Sequence, residues 1–141
     1  MSQLPPKLQE IVEDFSYCEG EEKLEYLLDF AENLSPLPGW LEGKQSTMDQ
    51  VHECLTPVFV YAEQQGDAFS FHFDVPPESP TVRGFASLLQ QGLAGTTLAE
   101  INAVPNEFYL ETGLQKVLTG QRMNGMSAML LHMKNLANEA S

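Results

Sequence analysis

The sequence predicts an α+β fold in which helices cover one small antiparallel sheet. Apolar residues recur at intervals of three and four near both ends of the chain, as in an amphipathic helix, whereas one segment in the middle alternates strictly, as in a strand. With 141 residues, of which 43% are hydrophobic, the chain has enough apolar side chains for one core. We expect a single domain over residues 1–141, because no internal repeat or linker divides the chain.

Two amphipathic helices are predicted at the start of the chain. The first runs from Leu4 to Phe15, and its apolar face consists of Leu8, Ile11, Val12 and Phe15. The second follows Gly20, and its apolar face consists of Leu24, Leu27, Leu28, Ala31 and Leu34. The prolines of segment 35–39 end this helix, because proline lacks a backbone donor and disfavours helical geometry in the residue before it.

A β-hairpin is predicted in the middle of the chain. Segment 39–50 reads as a loop, with a candidate third strand at the sheet edge near Met48 to Val51. The β-branched and aromatic run Val58 to Ala62 forms one hairpin strand, residues 65–67 form the turn, and the alternating run Phe69 to Phe73 forms the other strand. The three phenylalanines of that run share one face, so helices must cover it.

Helices are again predicted in the second half. Ser79 reads as an N-cap with Pro80 at the first helical position of a helix that ends near Gln91. Thr97 and Glu100 fit a capping box, and a short helical segment opens at Pro105. The last helix carries an apolar stripe to the end of the chain, formed by Met126, Met129, Leu130, Met133, Leu136 and Ala137.

Charge and hydropathy argue against several classes of partner. The 20 acidic and 7 basic side chains give a net charge of −13, which repels nucleic acid and anionic lipid but suits docking on a basic patch of another protein. No window approaches the roughly 18 consecutive apolar residues of a membrane span, and the first residues lack the order of a signal peptide. We therefore expect a cytoplasmic protein that is a monomer or a weak dimer.

Cys54 is the candidate nucleophile. The cytoplasm keeps thiols reduced, so Cys18 and Cys54 are expected to be free, and Cys54 lies on a loop just ahead of a strand, where it can be presented to a partner. A protonated His52 would lower the pKa of this thiol, whereas Glu53 would raise it. From the residues alone, a buried cysteine that acts as a small hydrophobe remains an alternative. Cys18, beside Glu19, is interpreted as structural.

Other reactive groups are scarce. His52 and Cys54 would supply only two metal ligands, and His72 and His132 stand on separate elements, so we predict no metal site. No phosphate-binding or dinucleotide-binding glycine motif is present, so no nucleotide or redox cofactor is expected. On residue type alone, Glu78, Arg83 and Arg122 would be surface charges.

Three sequence blocks nevertheless resemble the signature of a known family. They are Cys54 with its flanking residues, Pro80-Thr81-Val82-Arg83-Gly84-Phe85 with the residues up to Leu89, and Arg122-Met123-Asn124-Gly125-Met126 with the residues up to Leu130. Their order and spacing resemble those of the SufE family over essentially the whole chain. The Glu-Cys-x-Thr-Pro version of the first block is similar to an actinobacterial-like branch, whereas the better-known members have glycine before the cysteine.

The resemblance implies a SufE/IscU-like fold and a sulfur carrier. Family members accept sulfur from the cysteine persulfide of a SufS-type cysteine desulfurase, stimulate that enzyme and pass sulfur toward a SufBCD-type scaffold for iron–sulfur cluster assembly. The acceptor cysteine corresponds to Cys54, the family's acidic position to Glu78 and its arginine to Arg122; His52, Glu53 and Arg83 are further candidate contacts. Pyridoxal phosphate belongs to the desulfurase, so this chain needs no cofactor. The chain would be a persulfide carrier rather than a stand-alone enzyme.

Two other functions compete with the carrier. A non-catalytic adaptor would activate a desulfurase by binding alone, and a scaffold would hold the cluster itself. The scaffold needs three or four ligands near Cys54, where the sequence supplies one thiol. In the carrier, Leu55 and Val58 are expected to shield the loaded persulfide from reductants.

Overall fold

Five α-helices and one three-stranded antiparallel sheet form the part of the chain that the computed structural model describes, residues 4–140. The helices are α1 (Pro6–Tyr17), α2 (Glu21–Glu32), α3 (Pro80–Gly92), α4 (Leu98–Ala103) and α5 (Gly120–Ala140). The strands are β1 (Asp49–Gln50), β2 (Phe59–Gln65) and β3 (Ala68–Asp74). This architecture confirms the α+β prediction; residues 1–3 and 141 of the expected domain lie outside the described residues.

The sheet has the order β1-β2-β3, so the predicted hairpin and the candidate edge strand are both present. Asp49 pairs with Val60 on one side of β2, and Val60 pairs with Phe73 on the other. The phenylalanines of β3 share one buried face, as predicted, and are Phe69, Phe71 and Phe73. Helix α5 packs on β2 and α3 packs on β3, so these two helices cover that face.

Helices α1 and α2 pack against α3 with the apolar faces that the sequence predicts, except at Leu24 and Leu28 of α2. Leu24 is only half-buried. Leu27 is fully buried, whereas Leu28 is 40% exposed. Successive helical residues point about 100° apart, so the buried face that contains Leu27 and Phe30 turns Leu28 toward solvent. The contact with α3 is close at Gly84, where a Cβ atom would lie 2.6 Å from the carbonyl oxygen of Leu27.

Helix ends confirm both predicted N-cap positions, but only one of the two side chains makes a capping bond. At the start of α4, the amide of Glu100 donates to Thr97 Oγ1 at 3.2 Å and the Glu100 carboxylate accepts from the amide of Thr97 at 2.9 Å, which is the predicted capping box. At the start of α3, Ser79 occupies the N-cap position but makes no side-chain capping bond. Its hydroxyl instead pairs with Thr56 Oγ1 at 2.8 Å, because the fold brings that second partner within reach.

Two further features complete the core. The methionines of the predicted stripe on α5 are buried, namely Met126, Met129 and Met133, and Met123, one turn earlier in the helix, is buried with them. The other feature is Lys23, a buried cation on α2 whose Nζ donates to the carbonyl oxygens of Phe15 at 2.6 Å and Thr112 at 2.8 Å. These bonds join the end of α1 to a 3₁₀ segment that follows α4, so Lys23 ties the first two helices to a segment that lies 89 residues later in the chain.

Candidate functional site

Cys54 lies at the tip of the short connection between β1 and β2, and we call residues 52–57 the Cys54 loop. The amide of Val51 donates to the carbonyl oxygen of Val58 at 2.8 Å and closes the base of this loop. The amide of Cys54 turns back to the carbonyl oxygen of Val51 at 3.3 Å. Next along the chain, the side chain of Leu55 is 84% exposed. The sheet edge thus fixes both ends of the loop and leaves its tip at the surface.

The thiol of Cys54 points inward, against helix α5. Its Sγ lies 3.8 Å from the carbonyl oxygen of Gly125, to which the S–H donates a weak hydrogen bond. A Cβ atom at position 125 would lie only 3.3 Å from this sulfur, so glycine permits the close approach. Gly125 is a site residue that residue type alone did not reveal. The signal that could have found Gly125 is its place inside a helix. A glycine there makes the helix less stable than an alanine would, by about 1 kcal/mol, and so indicates a packing or functional reason.

The surroundings of Cys54 hold the thiol in its protonated form. Burial raises the pKa of Cys54 to about 11, and the neighbouring Glu53 carboxylate adds to the rise. At neutral pH only about one such thiol in ten thousand is ionised, so the resting cysteine is a poor nucleophile. His52, which the sequence analysis considered as an activator, is exposed and is not a cause of the shift.

A cavity of about 320 Å³ opens beside Cys54, between its loop, the beginning of α3 and the beginning of α5. Glu53, Glu78 and Arg122 supply the charged groups of its lining. Phe85 and Met129 supply part of its apolar surface. The cavity therefore offers an apolar floor and a charged rim next to the sulfur atom.

The structure brings four of the six predicted site residues to this cavity: Cys54, Glu53, Glu78 and Arg122. The other two lie elsewhere. His52 is exposed and is not part of the lining. The guanidinium of Arg83 donates to the carbonyl oxygen of Val75 at 2.8 Å, so this side chain supports the connection between β3 and α3 instead.

His132 on α5 is a neighbour of the Cys54 loop that the sequence did not reveal. Its Nδ1 bonds the Asp49 carboxylate, and its Nε2 lies 3.0 Å from Glu53 Oε1. Burial disfavours the charged ring, but the hydrogen bonds and charges of the two carboxylates outweigh it and raise the pKa of His132. A hydrogen bond from its own backbone amide, followed by the bond to His132, lowers the pKa of Glu53. No sequence signal joins His132 to positions 79 and 83 residues earlier.

Residues 4–140 offer neither a metal site nor a membrane span. No group of three or more histidine, cysteine, aspartate or glutamate side chains within this range is arranged to hold a metal ion. None of the helices in the range has both the length and the apolar character that crossing a membrane requires.

Comparison with known proteins identifies the family. The SufE family, described as an Fe-S metabolism associated domain, matches residues 9–137. The chain belongs to the SufE family. This confirms the resemblance seen in the three sequence blocks and supports a role in iron–sulfur metabolism.

Individual relatives agree with the SufE assignment. An uncharacterised SufE-like protein of Mycobacterium tuberculosis is 43% identical over 138 residues, which cover 97% of this chain and 95% of the relative. SufE-like protein 1, chloroplastic/mitochondrial, of Arabidopsis thaliana is 33% identical over 97% of this chain but only 36% of its own length. The solution structure of a hypothetical protein from Thermus thermophilus superposes with a TM-score of 0.85 at 36% identity and covers 97% of both chains.

Proposed function

We propose that this SufE-family chain is a cytoplasmic sulfur carrier that uses Cys54 as its acceptor. It takes the outer sulfur of a persulfide on a SufS-type cysteine desulfurase, stimulates that enzyme, and delivers the sulfur to a SufBCD-type scaffold. The observation that carries the proposal is a thiol at the tip of a short loop, half-buried beside a cavity lined by charged and apolar groups.

The transfer is a thiol–persulfide exchange. The Cys54 thiolate attacks the outer sulfur of the donor persulfide, the donor's sulfur–sulfur bond breaks, and the donor cysteine leaves as a thiolate. The products are a persulfide on Cys54 and a free thiol on the donor, so no external oxidant or reductant is needed. Only one thiol is required on the carrier, which agrees with the single cysteine at this cavity.

Activation has to accompany docking, since the resting thiol has a pKa of about 11. Movement of the Cys54 loop toward solvent would remove the burial that raises this pKa, and a cationic group of the partner would lower it further. We assign to Arg122, on the rim of the cavity, the role of a polar partner for the resting loop or for the desulfurase surface.

We assign protection of the loaded persulfide to apolar residues that line the cavity beside Cys54. Phe85 and Met129 are buried members of this lining and would pack against the outer sulfur. Of the two residues expected from the sequence, Leu55 also lines the cavity but is 84% exposed, whereas Val58 is fully buried in the core and is not part of the lining. The exposed Leu55 is better suited to contact a docked partner.

Mass spectrometry of the intact chain tests the proposal. After incubation with a cysteine desulfurase, pyridoxal phosphate and cysteine, we expect the chain to gain the mass of one sulfur atom, and a reductant should remove it. Cys54→Ser should abolish the gain, whereas the matched variant Cys18→Ser should keep it. A gain that persists in Cys54→Ser would contradict the proposal.

Desulfurase turnover separates the carrier from the adaptor. A carrier loses its stimulation of sulfide release when Cys54 becomes serine, whereas an adaptor keeps it because binding alone suffices. Iron reconstitution followed by visible absorption tests the scaffold, since a carrier should stay colourless.

A further inference from the structure

His132 holds two carboxylates at once, and one of them belongs to the Cys54 loop. Its ring bonds Asp49 of β1 through Nδ1 and Glu53 of the loop through Nε2, the latter at 3.0 Å. An ionised carboxylate only accepts hydrogen bonds, so a ring that bonds one on each nitrogen must donate from both. That is the imidazolium form, and the contact is therefore an ionic bridge between α5 and the sheet edge.

The bridge and the thiol contact lie on the same side of α5. Gly125, whose carbonyl oxygen accepts from the Cys54 thiol, precedes His132 by seven residues, which is close to two helical turns. Glu53 and Cys54 are adjacent in the chain, so the loop is attached to this helix at two successive residues. Of these two attachments, only the one through His132 involves opposite charges.

We propose that His132 is a positioning residue whose ionic bridge to Asp49 and Glu53 keeps the Cys54 loop in the position that buries the thiol. Its importance for sulfur transfer rests on the function proposed above. Because Val51 and Val58 already close the loop base, loss of the bridge releases the tip without unpairing the sheet. The released thiol becomes accessible and easier to ionise.

Alkylation of the free chain by iodoacetamide tests this role without any desulfurase. In His132→Gln, Cys54 should react about fivefold faster, the effect expected for losing an ion pair of this exposure. Cys18 in the same molecule is the internal reference and should not change. The matched control is His72→Gln, because His72 is 18% exposed and its Nε2 lies 2.8 Å from Glu63 on the hairpin. An unchanged Cys54 rate in His132→Gln would overturn the proposal.

Charge rescue and pH distinguish positioning from general destabilisation. His132→Arg supplies a permanent cation with several donors and should restore slow alkylation. The charged groups around the ring are Asp49, Glu53 and, beside Glu53, His52. As pH rises and His132 loses its proton, the wild-type bridge weakens, so the ratio of the His132→Gln rate to the wild-type rate should fall toward one. A ratio independent of pH would contradict the proposal.

Amide hydrogen exchange keeps the test decisive if His132→Gln does not fold. Glu53→Gln breaks the bridge from the loop side, and it should speed exchange of the Cys54 amide, which donates to the carbonyl oxygen of Val51, but not of the amides in β2 or β3. Protection equal to wild type would refute the bridge. None of these results depends on sulfur uptake, so they can fail while the mass gain succeeds, or succeed while it fails.

Discussion

The two thiols of the chain have different surroundings. Cys18 Sγ lies 3.5 Å from the carbonyl oxygen of Asp14, in an open acidic groove that also contains Glu22 and Asp29. Cys54 packs against the core at the edge of a cavity, where burial is the largest cause of its raised pKa. We therefore expect the reactivity of Cys54 to depend on how often its loop leaves the resting position.

This control predicts slow modification of native Cys54. In a Cys18→Ser background at about pH 8, we expect iodoacetamide to react with the native thiol about two orders of magnitude more slowly than with the urea-unfolded chain, because fewer thiols are ionised. The native rate should keep rising toward about pH 11, since a raised pKa moves thiolate formation to higher pH. A plateau near the ordinary thiol value of about 8.5 would show that burial does not govern the thiol.

Gly125→Ala should separate loop position from global stability. The added Cβ would lie 3.3 Å from Cys54 Sγ and push the thiol outward, so alkylation of Cys54 should become faster. Alanine also favours the helix, so the free energy of unfolding should stay the same or rise by up to about 1 kcal/mol. Gly120→Ala in the same helix is the control, because its Cβ meets nothing within 4 Å. Equal alkylation rates in the two variants would argue against the contact.

Residue types pointed to Cys54 and Glu53 but not to Gly125 or His132. A cysteine on a loop before a strand is visible in the sequence, and so is its acidic neighbour Glu53. Gly125 and His132 act through contacts with residues 71 to 83 positions earlier, and no local pattern encodes such distances. For this reason the sequence suggested His52, which is close in the chain, as the histidine that acts on the loop, whereas the histidine that contacts the loop is His132.

At the scale of elements, the packing of α2 on α3 depends on the absence of a side chain at Gly84. We predict that Gly84→Ala lowers the free energy of unfolding by about 1–3 kcal/mol, because its Cβ would lie 2.6 Å from a backbone oxygen that cannot rotate away. Urea denaturation measures the loss, and Gly120→Ala again controls for helix propensity. A stability equal to that of the control would mean that the two helices separate at little cost.

The start of α3 yields a second prediction at this scale. Ser79→Ala should lower the free energy of unfolding by about 1 kcal/mol by removing the hydrogen bond to Thr56. If the loss of that bond is the whole effect, Ser79→Ala should lower the free energy of unfolding very little further in a chain that already carries Thr56→Val. A double-mutant cycle measures this coupling. If the effects of the two substitutions on the free energy of unfolding are fully additive, the bond to Thr56 is not what Ser79 contributes, and the capping role expected from its position would account for its effect instead.

Elements with a strong period were predictable, and the exceptions have physical reasons. The alternation of β3 and the spacing in α1 specify which faces are buried, because each pattern has only one way to hide its apolar residues. The role of Ser79 was not predictable, since a hydroxyl at an N-cap position can be drawn to a tertiary partner. Leu28 was misplaced because two overlapping apolar faces fit the α2 sequence, and packing against α3 selects one of them.

Across the whole molecule, Lys23 joins segments that are far apart in the chain. Lys23→Met would remove the Nζ donor from the carbonyl oxygens of Phe15 and Thr112, while the Phe15 oxygen keeps its bond from the amide of Cys18, so we expect the free energy of unfolding to fall by about 1–2 kcal/mol. Guanidinium denaturation checks this value. Lys7→Met is the matched control, because Lys7 is exposed and its Nζ is 4.0 Å from Glu10, a pairing worth little. Similar losses in both variants would contradict the structural role of Lys23.

The family could be recognised from the sequence because its three blocks keep their order. The cavity at which these blocks come together could not be predicted in the same way. The cavity is formed by the Cys54 loop, the start of α3 and the start of α5, which lie more than 20 residues apart from one another. Only the packing of α3 and α5 on the sheet brings them together. The same packing explains why Arg83, in the middle block, faces Val75 rather than the cavity.

The hydrogen bond between Val51 and Val58 also limits how far the Cys54 sulfur can move from its resting position. With that seam intact, Cys54 is tethered three residues from an anchored position, and three extended residues span at most about 10 Å. A loop with this reach cannot carry the thiol into a deep active-site channel of a partner. Under the proposed carrier function, we therefore expect the donor enzyme to present its persulfide near its own surface, within about this distance of the resting loop.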